Sequence, residues 1–412
     1  MISTDFAPNE RIDDALLSLS LIFQPWRWQI GPETEKVKEE IKKLFSQNTK
    51  YLILNTYFFL SGRCALYHLI KSLNLPKNSR VIVQAFTCEA VVLPIIANGF
   101  KPIYVDIEKE TLSMDINNLK TKMDVGTERA LSQRGIIIIQ HTFGMTPKYR
   151  NDILKLAKEN SLIVVEDLAH GFDPKIFESN SSISQSPNIY FLLSFGRSKP
   201  FSSVFGGAIG SFNKDLNFKL IQPSYSHIFS LLLYKPIAYF IKSTYNIFIG
   251  QLIHKILNIF NLLSKEISEK EKKGRYDSFF DKAYPNALAI LLLHQLRKSE
   301  SIQQERINII NYYNKNISIS QFPFSKPIPF LRYPILIDNR DLLVELARRQ
   351  GIFLGLWYNQ VVAPKALNLK KVYYNKGDCP VAEEICNRIV NLPTLINEKE
   401  ARQIVYLLNS ML

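Results

Sequence analysis

The stretch GIIIIQHTFGMTPKYRNDILKLAKENSLIVVEDLAHG, Gly135 to Gly171, decides the fold. Its two apolar runs, IIIIQ and LIVVED, are β-branched and aliphatic with almost no polar alternation, the pattern of parallel strands buried on both faces. KYRNDILKLAKENS between them reads as a helix, so the whole is a strand–helix–strand unit. Working outward, RVIVQAF, CEAVVLPIIANG and KPIYVDI precede it, and IYFLLSF and GGAIGSF follow. Strand and helix signals alternate throughout, which predicts a doubly wound α/β domain. Upstream, PETEKVKEEIKKLFSQ has helical apolar spacing at Val37, Ile41 and Leu44, and SGRCALYHLIKSL is a Ser-Gly turn entering a helix.

The predicted organisation is an N-terminal arm and helix over 1–50, a large α/β domain over 51–286, a linking helix and connector over 287–330 and a small α+β domain over 331–412. The connector begins with one long amphipathic helix from Leu288 to Tyr313, and LRYPILID opens the small domain as a strand. Between 221 and 275 the β/α pattern breaks into aromatic and aliphatic residues followed by the charged run EISEKEKKGR. Lys235, Lys242, Lys255 and Lys265 interrupt this segment before any uncharged run reaches the roughly 18 residues a spanning helix needs. Two readings stay open for 221–264: helices lying in a bilayer interface, or a dimer interface or wall over an active site.

The chain has 412 residues, 46% of them hydrophobic and 21% charged, enough for a large core in more than one unit. Its net charge of +14 is spread along the chain and no nucleic-acid-binding motif is present, so the excess is read as solvation with some attraction for phosphates or anionic lipid. Cys64, Cys88, Cys379 and Cys386 form no CxxC pair and are too few to staple the chain. A reducing, cytoplasmic compartment is expected, with membrane association at the cytoplasmic face as the variant, and no metal site. The acidic residues before ALLSLSLIF, Ala15 to Phe23, are the wrong charge pattern for a signal peptide.

Lys199 carries the chemistry. It follows the apolar strand IYFLL in SFGRSKPFSSVFGGAIGSF, with hydroxyls and a glycine pair close by. A lysine at the mouth of a parallel sheet sits in low dielectric, which favours the neutral amine that attacks carbonyls. Taken alone it is one lysine among many. Its company changes the reading, because LIVVED places Asp167 at a strand's C-terminal end, the lip where α/β sheets bind ligands. An amine for a carbonyl and a carboxylate for a protonated pyridine nitrogen together point to pyridoxal 5'-phosphate.

On these residues the chain resembles the nucleotide-sugar aminotransferases of the DegT/StrS type, which have fold type I of the pyridoxal phosphate enzymes. IGPETEKVKEEIKKLF is similar to the family's opening helix, SGRCAL to its phosphate turn and VIVQAFTCEAVVLPIIANGFKPIYVDIEKETLSMD to its second and third strands. HTFGMTPKYRNDILKLAKENSLIVVEDLAHGF and CPVAEEICNRIVNLP follow it as well. The resemblance implies a large, mainly parallel seven-stranded sheet domain with a small C-terminal α+β domain. It implies that Lys199 holds the cofactor and moves protons, and that Asp167 pairs with the ring nitrogen. His170 then lies beside the ring hydroxyl, Ser194 is a phosphate ligand, and Gly62 and Arg63 offer backbone amides to the phosphate at a helix start. Cys88 falls where the family often stacks an aromatic ring, with Phe86 the nearby substitute. Gly196, Arg197 and Pro200 depart from the family's lysine loop, and Arg197 is read either as an anion ligand or as a local ion pair. The family's Asn-Tyr-Arg segment, which reaches into the neighbouring subunit's site, has no clean equivalent in DSFFDKAYPNALA; Asp281 falls near its asparagine and Asn286 is the alternative.

The implied function is transfer of an amino group from an amino acid, expected to be glutamate, to a keto-sugar carried on a nucleotide, for amino-sugar and surface-glycan synthesis by a homodimer. The alternatives are a pyridoxal phosphate sugar dehydratase, whose members typically replace the lysine with histidine, and a non-catalytic or membrane-associated relative of the fold.

Overall fold

The apolar runs become the central sheet. A computed structural model describes every residue except 47–53, 125–134, 174–175, 177–187, 213–215, 261–264, 319–327 and 412. Parts of the expected connector and the end of the apolar stretch 221–264 therefore lie outside the described residues.

The chain opens with β1 (Ile2–Ser3), α1 (Ile12–Ile22) and α2 (Glu33–Ser46), followed by β2 (Leu54–Phe59) and α3 (Gly62–Ser72). Next come β3 (Val81–Gln84), β4 (Thr87–Cys88), α4 (Glu89–Ala97), β5 (Pro102–Val105), α5 (Ile116–Asp124) and β6 (Ile136–Gln140). Helix α6 (Arg150–Glu159) leads to β7 (Ile163–Asp167), β8 (Ile189–Ser194) and β9 (Gly207–Phe212). The seven-stranded sheet has the order β2-β9-β8-β7-β6-β3-β5. β9 pairs antiparallel with both neighbours and the remaining pairs are parallel. Alternate residues feed opposite cores: Val81, Val83, Ile136 and Ile138 face one, while Ile82, Ile137 and Ile139 face the other. Both faces are covered, which is why these strands carry no polar alternation.

The segment after the sheet is helical: α7 (Tyr225–Leu232), α8 (Tyr234–Thr244), α9 (Ile249–Ile259) and α10 (Glu269–Lys272). Ile228, Leu231, Leu232, Ala238 and Ile241 bury α7 and α8, and Ser18 on α1 donates to the Leu232 carbonyl at 2.7 Å. The expected single helix from Leu288 to Tyr313 is two, α11 (Asn286–Arg297) and α12 (Ser299–Asn316), parted at Lys298. Lys298 leaves helical geometry with φ −98° and ψ 5°, and its ammonium reaches Asp13 at 2.7 Å and Asp14 at 3.2 Å. Almost every residue of α11 is buried, whereas α12 has the amphipathic pattern.

The C-terminal part contains β10 (Arg332–Leu336), α13 (Arg340–Arg349), β11 (Ile352–Phe353), β12 (Val362–Ala363), α14 (Pro380–Arg388), β13 (Ile389–Pro393) and α15 (Glu398–Asn409). β10 and β13 form an antiparallel ladder. Two short parallel pairings join it to the rest, β1 with β11 and β4 with β12. These bring the 357–364 loop over the C-terminal ends of the sheet strands. Among the described residues no helix is long and apolar enough to cross a membrane.

Candidate active site

Strand β7 ends in two carboxylates that point to opposite faces of the sheet. Glu166 is locked by His141 Nε2 at 2.8 Å and by Arg150 Nε and Nη2 at 2.8 and 2.6 Å. Burial opposes its charge, but His141 and Arg150 outweigh it and hold the carboxyl down at about 2. Asp167 faces a cavity of about 590 Å³ instead. Its Oδ1 accepts the Ala169 N–H at 3.0 Å, and burial raises the carboxyl above the ordinary range, offset in part by that bond and by Lys199.

Lys199 lies in the turn after β8, where its N–H donates to the Gly196 carbonyl at 3.2 Å and its own carbonyl accepts the Asn9 side-chain amide. Its Nζ sits 5.0 Å from the centre of the Trp357 ring. Burial lowers the ammonium's pKa, Cys88, Asp167 and Glu266 pull it back up, and Arg332 pushes it down. The result is an amine easier to deprotonate than a surface lysine, as carbonyl chemistry requires.

His170 lines the same cavity with both ring nitrogens engaged. The Phe143 N–H donates to Nδ1 at 3.3 Å, so in the neutral ring the proton is on Nε2, which donates to Tyr358 Oη at 2.8 Å. Burial, Lys199 and Arg332 hold the imidazole's pKa well below its ordinary value. The ring packs against Phe143 and Trp357, at 6.0 and 5.1 Å between centroids.

The opposite wall is the start of α3. Ser61 caps it, its Oγ accepting the Cys64 N–H at 3.2 Å, and Gly62 lies against the Ser194 side chain at the end of β8. Gly207 makes this approach possible: a Cβ there would stand 2.4 Å from the Gly62 nitrogen. The Arg63 side chain turns toward α10, pairs with Glu271 and donates to the Glu266 carbonyl at 2.6 Å. It thus adds a helix terminus to the cavity while its guanidinium charge is committed to Glu271.

All seven residues singled out in the sequence, Gly62, Arg63, Cys88, Asp167, His170, Ser194 and Lys199, line this one cavity. Two related expectations are corrected, Phe86 as the stacking ring and Arg197 as an anion ligand of this cavity. Phe86 does not replace the stacking ring; it is fully buried edge-on to Tyr358 and Phe143, and Trp357 supplies the flat aromatic face at the cavity. Arg197 does not line the cavity; its guanidinium stacks on Tyr234 of α8 at 3.8 Å. Asp281 and Asn286, the nearest equivalents of a segment that the resemblance sends to the neighbouring subunit's site, bond within their own chain: Asp281 accepts the Tyr276 hydroxyl, and Asn286 bonds the Arg27 carbonyl at 2.9 Å and the Glu33 N–H at 3.2 Å.

Several lining residues carried no sequence signal. Glu89 opens α4 beside Cys88 and is 3% exposed; burial pushes it up to about 7, Arg63 lowers it and Glu271 raises it. The Cys88 thiol is pushed up to about 11 by burial, then by Glu89. Glu266 accepts the Ser198 hydroxyl at 3.1 Å, while Tyr245 and His254 bring the 221–264 segment to the cavity wall, His254 against Phe6 at 5.2 Å.

The donor set fits pyridoxal phosphate: a buried, easily deprotonated amine, a buried carboxyl with no ion pair among the described residues, a capped helix start beside Ser194, and Trp357 for a planar ring. The sequence profile of the DegT/DnrJ/EryC1/StrS aminotransferase family matches residues 18–223 and 267–408. The chain belongs to that family. It is 24% identical over 377 residues to the dTDP-4-amino-4,6-dideoxy-D-glucose transaminase of Shigella dysenteriae, covering 88% of this chain and 85% of that protein. Among solved structures it superposes on Helicobacter pylori PseC, an aminotransferase of pseudoaminic acid biosynthesis, with TM-score 0.65 at 16% identity and 98% of each chain covered. NtdA of Bacillus subtilis, solved with its cofactor PMP bound, gives TM-score 0.65 at 17% identity over 97% of this chain and 81% of that one. The profile leaves 224–266, the stretch that holds α7, α8 and α9, unmatched.

Proposed function

We propose that the chain is a pyridoxal 5'-phosphate-dependent aminotransferase that takes an amino group from glutamate and passes it to a nucleotide-linked keto-sugar, working as a homodimer. The observation that carries this is the meeting of Lys199 and Asp167 in one cavity with the Ser61-capped helix start. The 221–264 segment is taken to touch a membrane peripherally. When bound, the cofactor supplies a carbonyl carbon and an electron-withdrawing ring.

The protein's residues do the rest. Lys199 would hold the cofactor through Nζ, whose ammonium burial makes easier to deprotonate, and once free the same amine would move the proton at the donor's α-carbon. Asp167 would hold a proton on the ring nitrogen, since a cation placed beside its buried carboxyl favours the carboxylate. The amides at the start of α3 and the Ser194 hydroxyl would hold the phosphate, and Trp357 and Cys88 are the cavity side chains that would bound the ring. Retention of a lysine at 199 favours transamination over dehydration. Mixing cofactor-loaded protein with glutamate and a panel of keto-sugar nucleotides, with product mass as readout, tests this: an aminated sugar and 2-oxoglutarate are expected. Deoxygenated sugar with no nitrogen gained would replace the reading by a dehydratase, and no product from any donor and acceptor would overturn it.

A further inference from the structure

Helix α9 is built inside out. A surface helix of a globular protein turns its apolar stripe to the core and its polar face to water. In α9, Gly250 is the only buried residue, and Ile249, Leu252, Ile256 and Ile259, spaced on one side, are exposed, Leu252 by 61% and Ile259 by 63%. Phe248 and Phe260 flank the stripe at 73% and 68%. The orientation is fixed by packing. Gly250 touches the backbone of α8 so closely that a Cβ would stand 2.2 Å from the Ile241 carbonyl oxygen, and His254 is held against Phe6 at the cavity.

Charge favours one occupant for this face. From Leu216 to Lys265 the sequence has five lysines and no aspartate or glutamate. Lys235 is spent on Glu10 inside the fold and Lys242 on the Ala7 carbonyl, but Lys219, Lys255 and Lys265 are exposed. The nearest exposed acid after them, Glu269, is shared between Lys265 and Lys272. A second copy of a chain with net charge +14 would bring like charge to this face, whereas an anionic bilayer gains from the lysines and takes the apolar stripe together.

We propose that the outward face of α9, Leu252, Ile256 and Ile259 with Phe248 and Phe260, docks the protein on an anionic lipid bilayer and sets the mouth of the active-site cavity against the membrane surface. Tyr245 and His254, from the same 221–264 segment, line the cavity, so docking and access share one wall. On the aminotransferase reading above, an acceptor held at the membrane by a lipid would reach Lys199 without leaving the surface; the docking itself does not depend on that reading.

The test is flotation of the full-length protein with vesicles of phosphatidylcholine containing phosphatidylglycerol, and with pure phosphatidylcholine, at low and raised salt. Wild type is expected to float with the anionic vesicles and to be released in part by salt. Leu252→Gln/Ile256→Gln/Ile259→Gln, which changes only exposed side chains, is expected to lower partitioning at least about tenfold. Its absorbance with added pyridoxal phosphate should stay at the wild-type level. Equal flotation of the triple variant, or no flotation of the wild type, overturns the proposal. So does light scattering that finds wild-type dimers and triple-variant monomers with no lipid dependence, since a second copy then occupies the face. Missing cofactor absorbance in lipid-bound protein would instead strike the functional reading and leave docking standing.

Discussion

Glu89→Gln should remove a pH dependence of stability. Glu89 sits at the head of α4 in the cavity wall, 3% exposed, with Arg63, Glu271 and Lys199 as its charged neighbours. Arg63 is committed to Glu271, so little counters the cost of burying a second carboxylate there. The carboxyl rises from 4.5 to about 7. A folded-state value above the unfolded one means that folding favours the protonated form. The resulting stability is complete below pH 4.5 and is lost as pH climbs through about 7. At ~1.4 kcal/mol per pH unit the loss totals about 3 kcal/mol, equivalent to about 4 °C in Tm for a chain of this length. Gln cannot ionise. In thermal melts of the cofactor-free protein from pH 4 to pH 8, the variant should therefore gain about 3 kcal/mol on the wild type between the two ends. Parallel melting curves would refute the reasoning, and a wild type that gains on the variant as pH rises would reverse its sign.

Glu166→Gln leaves Arg150 buried without its carboxylate and should cost about 3–5 kcal/mol at neutral pH. The folded value of about 2 lies below the unfolded 4.5, so this stability is present above pH 4.5 and lost as pH falls through about 2; denaturation at several pH values should show the two proteins converging in acid. Gly207→Ala places a methyl 2.4 Å from the Gly62 nitrogen and should displace the start of α3, weakening pyridoxal phosphate binding at least about tenfold by absorbance titration. Unchanged affinity would remove this turn from the phosphate site. Asp167→Asn preserves shape but not charge: cofactor should still bind, with donor-dependent spectral change slowed at least about a hundredfold by stopped flow.

The buried strands were readable because a sheet covered on both faces leaves a continuous apolar run, as in IIIIQ and IYFLLS. β2 was not: at the sheet edge, LNTYFF mixes polar and apolar residues and pairs only with β9, a partner more than a hundred positions away. The break at Lys298 was hidden because the apolar pattern runs through it, while its cause, Asp13 and Asp14, comes from α1. Lys199, Asp167, His170 and Ser194 stand close together in sequence at strand ends, so local pattern locates them. Trp357, Tyr358 and Glu266 arrive from distant loops with no motif of their own. Arg197 kept two readings in the sequence because the ring its guanidinium stacks on, Tyr234, comes from α8, where no motif marks it.

The central claim is that Lys199 is the amine that holds pyridoxal phosphate and hands it to an amino donor. Its direct measurement is the visible absorbance of purified protein incubated with pyridoxal phosphate, before and after glutamate, for wild type and Lys199→Ala. The account predicts a protein-bound band in the wild type that borohydride traps on Lys199, shown by peptide mass, and that shifts when glutamate is added; in Lys199→Ala the band is absent. A folded wild-type protein with no such band, or borohydride trapping on another lysine, would contradict it.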